Sequence, residues 1–498
     1  MIPHLSQLFA RMWVEEQVPS DWSLSVLLPL FKKGDKMECA NYRGISLLDI
    51  CLKIFESVLL QRFQHTCNLR MRENQAGFRP GRGCADQIFS LRVLLNERYE
   101  FHRPTLVVFT DFKTAFDSVS RNCLWQILLV NGTPIKLIAM FKAIYCATRS
   151  RVRVQGTDSA EFVIGSGVRQ GAIASPVLFN CVVDWVMSRA LQSCAESDIH
   201  IGLPVNSCSI TDLDYADDIA LLAENEVDMQ FFVNKVAFFG AMVGLRISPT
   251  KSKVLSSCVA LPSITVDGVP LLNVDKFCYL GSLITASGSA EDDIHIRIGR
   301  ACSAFQQLSN MLFLRNDISI ATKVRVYKAS VRSVLLYGCE SWPMTDALVS
   351  RVESCEMNCL RRALNINYTD HVTNAAVRLR CNMADTISSV MQCRRLTWLG
   401  HVLRMDVFRL PRTILLAKHP VDWKRPRGGT RLTWIRKIHA ETKLLTNHVR
   451  HHAGSACDWS ISGRLWLEYL GDLAACRPQW VGCVRSVISS LGGSHGTS

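Results

Sequence analysis

At 498 residues the chain has length for about three domains. Its 48% hydrophobic and 20% charged residues allow a sizeable core and exclude wholesale disorder. Formal net charge is +14, and by count roughly +13 of it falls between Glu291 and Arg450, an asymmetry that favours a polyanion partner over a generically basic surface.

There are 20 cysteines but no Cys-x-x-Cys pair. The amino terminus, Met-Ile-Pro-His-Leu, has no basic leader before an apolar stretch, which argues against secretion and for reduced thiols. Cys355 and Cys359 fall one helical turn apart, and His448, His451, His452 and Cys457 cluster later. Neither group has clean zinc spacing, so buried thiols and exposed histidines are expected. No apolar run approaches the ~18 residues needed to span a bilayer, so a soluble chain without membrane contact is expected.

Along the chain, 24–31 reads as a strand ending in Lys32-Lys33-Gly34-Asp35-Lys36, and Pro29 within it suggests a sheet edge. An apolar-periodic helix follows 41–48 and runs to about Arg62. The segment 75–83 is a glycine-rich basic loop, and the next helix begins near Asp86, a suitable N-terminal carboxylate. The apolar run 106–109 reads as a buried strand. Residues 121–130 are helical and stopped by Asn131-Gly132. Strict alternation over 151–155, a turn at 156–159 and a return over 161–164 predict a hairpin. Gly165 to Gly171 forms a basic loop leading to a helix over about 176–191. Another helix spans about 227–243, capped by Gly244, and Asp267-Gly268 marks a second hairpin. From Glu291 onward the pattern is helical and basic. Residues 451–498 lack clear periodicity and read as a frayed tail.

Two acidic turns interrupt this series. Asp111 follows the strand 106–109 within Thr-Asp-Phe-Lys-Thr-Ala-Phe-Asp. Asp217 and Asp218 sit in Tyr-Ala-Asp-Asp, at the bend between Leu213 and the apolar run 219–222. An Asp pair in a turn is by itself usually just solvated. Carboxylates at strand ends can also clamp Mg²⁺, which binds through one or two carboxylates plus substrate phosphates. Two such ions serve phosphoryl transfer to a hydroxyl nucleophile. The basic residues Lys32, Lys33, Arg43 and Arg79 suit a triphosphate. Phe116 could underlie a nucleotide sugar or be an ordinary core aromatic. Gly167-Val168-Arg169-Gln170-Gly171 offers backbone amides and polar side chains for sugar and base contacts.

The ordered series resembles a reverse transcriptase of non-LTR (LINE-type) retrotransposons, most like the RTE or BovB-related group. Seven pieces carry the likeness: Asn-Tyr-Arg-Gly-Ile-Ser-Leu-Leu at 41–48, Gln-Ala-Gly-Phe-Arg at 75–79, Phe-Thr-Asp with Ala-Phe-Asp at 109–117, Arg-Gln-Gly with Ser-Pro at 169–176, Tyr-Ala-Asp-Asp at 215–218, Gly244-Leu245 with Lys251, and Tyr-Leu-Gly at 279–281. Further likeness lies at 356–362, 370–374 and 395–401.

This resemblance implies an α+β right-hand polymerase (fingers, palm and thumb) with an antiparallel palm sheet and a mainly helical C-terminal region. Its expected divisions are fingers with the start of the palm over 1–105, palm over 106–290, thumb-like helices over 291–345, a basic helical region over 346–450 and a tail over 451–498. It further implies RNA-directed DNA polymerase activity on RNA template, DNA primer and dNTPs, with two Mg²⁺ (or Mn²⁺) held by Asp111, Asp217 and Asp218. Phe116 matches the aromatic that selects deoxyribose, and Gln170 the residue contacting the sugar. Lys32, Arg43 and Arg79 match triphosphate contacts, and Lys251 a lysine assisting pyrophosphate departure. Arg297, Arg300, Lys323, Arg325 and Lys328 would grip the nucleic-acid backbone. The family's usual N-terminal endonuclease does not fit before Met1, so a chain beginning inside the fingers is expected. Nuclear action is implied only by how the family inserts DNA. Rival readings are a group II intron maturase, an RNA-dependent RNA polymerase, or an inactive remnant that only binds nucleic acid.

Overall fold

The computed structural model describes residues 2–206, 208–258, 260–383, 385–418, 420, 423, 432–453 and 465–493. The run 106–109 forms the strand Leu106–Thr110, buried at every position. A strand without a solvated face needs cover on both sides. It is the middle strand of a five-stranded sheet, ordered Leu272–Asn273, Lys253–Ser256, Leu106–Thr110, Asp218–Ala223, Asp212–Tyr215. All neighbours are antiparallel except the outer pair of 253–254 with 272–273.

Successive side chains of a strand point to opposite faces, and here they feed two cores. Leu106, Val108, Ile219 and Leu221 enter one core, and Val107, Phe109, Ala220 and Leu222 enter the other. The first is filled by the helices Ile50–Arg70, Ser175–Glu196 and Glu226–Met242. The second is filled by Cys84–Glu100 and Ile387–Leu403. Helix starts follow the local chemistry. Asp49 and Asn225 accept hydrogen bonds from first-turn N–H groups, and Asp86 accepts one from Gly83 at 3.0 Å. Burial on both sheet faces therefore holds rigid the strand ends where the aspartates sit.

A second sheet forms beside the first. Its strand Leu24–Phe31 lies between Tyr42–Leu47 and Arg149–Val154, and Phe162–Val163 pairs with the last of these. Pro29 does not mark an edge strand as expected. Pairing with Arg149–Val154 stops at Leu27, two residues before the proline, so the missing N–H falls where only one neighbour is present. The hairpin expected at 151–164 is present but turns earlier than 156–159, at Gln155-Gly156, because Thr157 and Asp158 already pair with Val154 and Arg153. The one turning at Asp267-Gly268 is present too, with φ of 51° and 76°.

Beyond the hairpin Lys276–Tyr279/Ser282–Thr285 the chain is helical, starting with Glu291–Leu308. Arg92, fully buried on Cys84–Glu100, ties this region to the sheet. Its guanidinium meets Asp293 at 3.0 Å and donates to the Ser282 hydroxyl and the Leu283 carbonyl. Asp293 also accepts from Trp342 Nε1 at 3.0 Å. The frayed tail expected over 451–498 is corrected in part. Leu465–Ala475 and Arg477–Gly493 are helices, and they bury Trp466, Leu470, Trp480 and Val484 in the second core. The side chains of His448, His451 and His452, and all of Cys457, lie outside the described residues. Cys355 and Cys359 are buried on one helix, Asp346–Ala363, and the described cysteines are free. No helix among the described residues is long and apolar enough to cross a membrane.

Candidate active site

Strand register brings the two acidic turns together. Ile219 pairs with Thr110, so the next residue outward on each strand is Asp218 on one and Asp111 on the other. Asp111 is anchored through its backbone. Its N–H donates to Ser252 Oγ at 3.1 Å, and its carbonyl accepts from Ser248 N–H at 2.7 Å. Tyr215 pairs with Asp218, leaving Ala216 and Asp217 as a two-residue turn. Ala216 takes the left-handed conformation, with φ of 59°.

The electrostatics record the convergence. Burial pushes the Asp218 carboxyl up to about 6, with Asp217 and then Asp111 adding to the rise. Asp217 is raised by burial and by Asp111, while Arg43 and Lys251 pull it down. Lys251 Nζ lies 3.3 Å from Asp111 Oδ2, and that oxygen accepts no hydrogen bond. Asp217 and Asp218, each raised by burial and by neighbouring carboxylates, form with Asp111 a site that wants positive charge.

The other expected residues divide. Arg43, exposed on Tyr42–Leu47, acts on Asp217 from the second sheet, and Lys32 is exposed just past Leu24–Phe31. Phe116 stacks on Phe179 with centroids 4.5 Å apart and planes 12° apart. Gln170 sits in a loop held to the second sheet and to the short helix Ala115–Ser118: its carbonyl accepts from Ser46 N–H at 3.1 Å, and Val168 N–H donates to the Phe116 carbonyl at 2.7 Å. Beside it opens a cleft of about 420 Å³ lined by Gly44, Ser46, Asp117 and Gln170 among others.

Arg79 is not brought to this cleft. It is buried, and its guanidinium donates to the carbonyls of Arg72, Gln75 and Asn68 at 2.7, 2.8 and 3.1 Å. Arg297 and Lys323 are buried too. Arg297 donates to the Gly281 carbonyl and lies 4.3 Å over the Tyr337 ring, and Lys323 donates to the Ala363 carbonyl at 3.0 Å. Arg300, Arg325 and Lys328 are exposed.

One cluster behind the site escaped the sequence reading. Arg72 donates to Asp184, Asp212 and Asp214 at 3.1, 2.9 and 2.8 Å. Burial and Asp212 drive Asp214 well above the usual carboxylate range. Only the alternation of Asp212 and Asp214 ahead of Tyr215 hinted at it, because two inward-facing acids on a buried strand demand a partner.

Residues 31–284 match the family model described as reverse transcriptase (RNA-dependent DNA polymerase). The chain belongs to that family. A transposon-derived protein of Caenorhabditis elegans is 30% identical over 246 residues, 48% of this chain and 87% of that protein. The Pol polyprotein of the retrotransposable element R2DM of Drosophila melanogaster is 27% identical over 296 residues, 56% of this chain and 27% of its own length. The protein named as the probable RNA-directed DNA polymerase from transposon BS of Drosophila melanogaster is 25% identical over 371 residues, 70% of this chain. This reverse transcriptase thus spans 27% and 39% of the two Drosophila relatives. Apo telomerase of Candida tropicalis superposes with a TM-score of 0.45 at 12% identity, covering 94% of this chain and 73% of that one. The fold is the family's right-hand polymerase, α+β with an antiparallel sheet at its centre and a mainly helical C-terminal region.

Reverse transcriptases generally use divalent metal ions, and the residues here suit them. Asp111, Asp217 and Asp218 offer hard oxygens, and Asp111 Oδ2 is a buried acceptor without a hydrogen bond. Among the described residues no three acidic, histidine or cysteine side chains stand close enough to enclose an ion by themselves.

Proposed function

We propose that this chain is an RNA-directed DNA polymerase of a non-LTR retrotransposon. In the reaction the primer 3′-oxygen forms a bond to the α-phosphorus of a dNTP, the bond from that phosphorus to the bridging oxygen breaks, and pyrophosphate leaves. The observation that carries the reading is the strand register that sets Asp218 across from Asp111, with Asp217 beside it in the turn. Two Mg²⁺, or Mn²⁺, held there would activate the hydroxyl and stabilise the departing charge.

The protein's own groups do the positioning. Arg43 and Lys32, on the second sheet, suit the triphosphate, and Lys251 beside Asp111 suits the pyrophosphate. Phe116, fixed by its stack on Phe179, would lie under the sugar and leave no room for a 2′-hydroxyl. Gln170 would contact the sugar from the loop between the sheets. The regions 1–105, 106–290 and 291–345 act as fingers, palm and thumb, and 346–450 supports them. Exposed Arg300, Arg325 and Lys328 would hold template and primer phosphates. Arg79, Arg297 and Lys323 take structural parts instead, since they are buried with their charges bound to backbone carbonyls.

Primer extension on an RNA template tests this, with dNTPs and NTPs offered in parallel. The expected result is extension with dNTPs that needs Mg²⁺ or Mn²⁺. Incorporation of ribonucleotides alone would overturn it in favour of an RNA polymerase, and template binding without extension would favour a non-catalytic remnant.

A further inference from the structure

The turn that carries Asp217 is held by a residue far away in sequence. The loop after the helix Ile50–Arg70 runs along the open edge of Asp212–Tyr215. Asp214 N–H donates to the Asn74 carbonyl at 3.0 Å, and Ala76 N–H donates to the Asp214 carbonyl at 2.9 Å. The Gln75 side chain, fully buried, reaches forward from this edge to Ala216. Its Oε1 accepts from Ala216 N–H at 2.8 Å, and its Nε2 donates to the Ala216 carbonyl at 3.3 Å. Oε1 also accepts from Gly77 N–H at 2.8 Å.

Ala216 needs this partner. It is 3% exposed, so water does not satisfy its polar groups, and its left-handed φ costs free energy in a residue with a Cβ. Nothing larger than glycine fits where the loop passes. A Cβ on Gly77 would lie 2.4 Å from Ala216 N and 3.0 Å from Tyr215 C. Asn180, on Ser175–Glu196, secures the Gly77 carbonyl at 2.5 Å. The carboxamide thus satisfies both backbone groups of the residue directly before Asp217.

We propose that Gln75 is a positioning residue for nucleotidyl transfer: it clamps Ala216 in its left-handed state and thereby sets the Asp217 carboxylate for metal. This rests on the reading of Asp217 as a metal ligand. Partners that orient metal ligands are typically worth 10–100-fold in metal affinity.

The test is a Mg²⁺ titration of primer extension by the full chain, comparing wild type with Gln75→Met and Gln75→Glu. Methionine keeps the volume but makes neither hydrogen bond, whereas glutamate keeps the acceptor for Ala216 N–H. Gln75→Met should raise the half-saturating Mg²⁺ by about tenfold or more, with template binding unchanged, and Gln75→Glu should recover much of that loss. A purely structural role would lower the active fraction and leave the metal requirement where it was. An unchanged Mg²⁺ midpoint in Gln75→Met overturns the proposal. If Gln75→Met does not fold, an unchanged midpoint in Gly77→Ser overturns it equally. Asp217→Asn separates the two claims: extension surviving in that variant removes the underlying reading, whereas its loss beside a normal Gln75→Met midpoint removes only this one.

Discussion

Asp218 stands across from Asp111 because Ile219 pairs with Thr110, one residue further into the sheet. Neither aspartate has a side-chain hydrogen bond to a cation of its own turn; the nearest ammonium is Lys251, 3.3 Å from Asp111. The pairing places the carboxylates, and cover on both sheet faces keeps it from slipping. A slip of one residue would send every inward side chain to the other face. Catalytic placement and core packing are therefore one property of this sheet.

Repulsion within the acidic site should be visible without metal. Asp218→Asn removes a carboxylate whose proton affinity is raised by burial and by the charges of Asp217 and Asp111. In metal-free buffer it should raise the melting temperature by about 1–2 °C while abolishing extension. Differential scanning calorimetry in chelator reads the first effect. A lowered melting temperature would contradict the account.

Glu56 supplies a pH test away from the metal. It is buried, accepts from Ile173 N–H at 2.8 Å just beyond the Gln170 loop, and burial pushes its carboxyl up to about 6. Folded protein therefore binds this proton more tightly than unfolded protein. The stability it contributes is present below pH 4.5, fades as pH rises through 6, and is gone above. Glu56→Gln should gain on wild type by up to about 2 kcal/mol between about pH 4.5 and 7.5. Urea melts at the two pH values check this, and a constant difference would contradict it.

The basic helices should separate into gripping and structural residues. Replacing exposed Arg300, Arg325 or Lys328 with alanine should weaken binding to a primer–template duplex and reduce the salt slope by about one for each phosphate no longer neutralised. Arg297→Ala should chiefly lower stability, since its guanidinium serves the Gly281 carbonyl and the Tyr337 ring. Salt-dependent binding curves beside thermal melts distinguish the two classes.

Phe116→Val should admit ribonucleotides. The ring is fixed by its 4.5 Å stack on Phe179, so its shape is rigid where a sugar would lie. Discrimination between dNTP and NTP, read as the ratio of kcat/KM, should fall by about tenfold or more. Phe179→Ala should show a weaker form of the same change.

Much of the frame was legible along the chain. The strand Leu24–Phe31 and the helix Arg121–Val130 match the expected 24–31 and 121–130, because turn chemistry bounds both. The acidic turns were legible as well, since each closes a short apolar run. What one-dimensional pattern does not carry is cross-chain partnership. Gln75 lay within a recognised motif, yet nothing in its neighbours pointed to Ala216. Arg79 looked like a phosphate ligand because it lies in a glycine-rich loop and precedes Pro-Gly. In the fold it instead gathers carbonyls from the end of the helix Ile50–Arg70 and from the chain just after it. In the C-terminal segment, Trp466, Leu470 and Ala474 keep a four-residue spacing that shows its meaning only against the helix Ile387–Leu403.

Mn²⁺ binding tests most directly whether the three aspartates share divalent cations. Full-length protein with an RNA template, a chain-terminated DNA primer and the next dNTP is titrated with Mn²⁺ and followed by electron paramagnetic resonance. Wild type should take up two ions per complex, and Asp111→Asn and Asp217→Asn should each lose that binding while still holding the duplex. Mn²⁺ uptake in either variant equal to wild type would contradict the account.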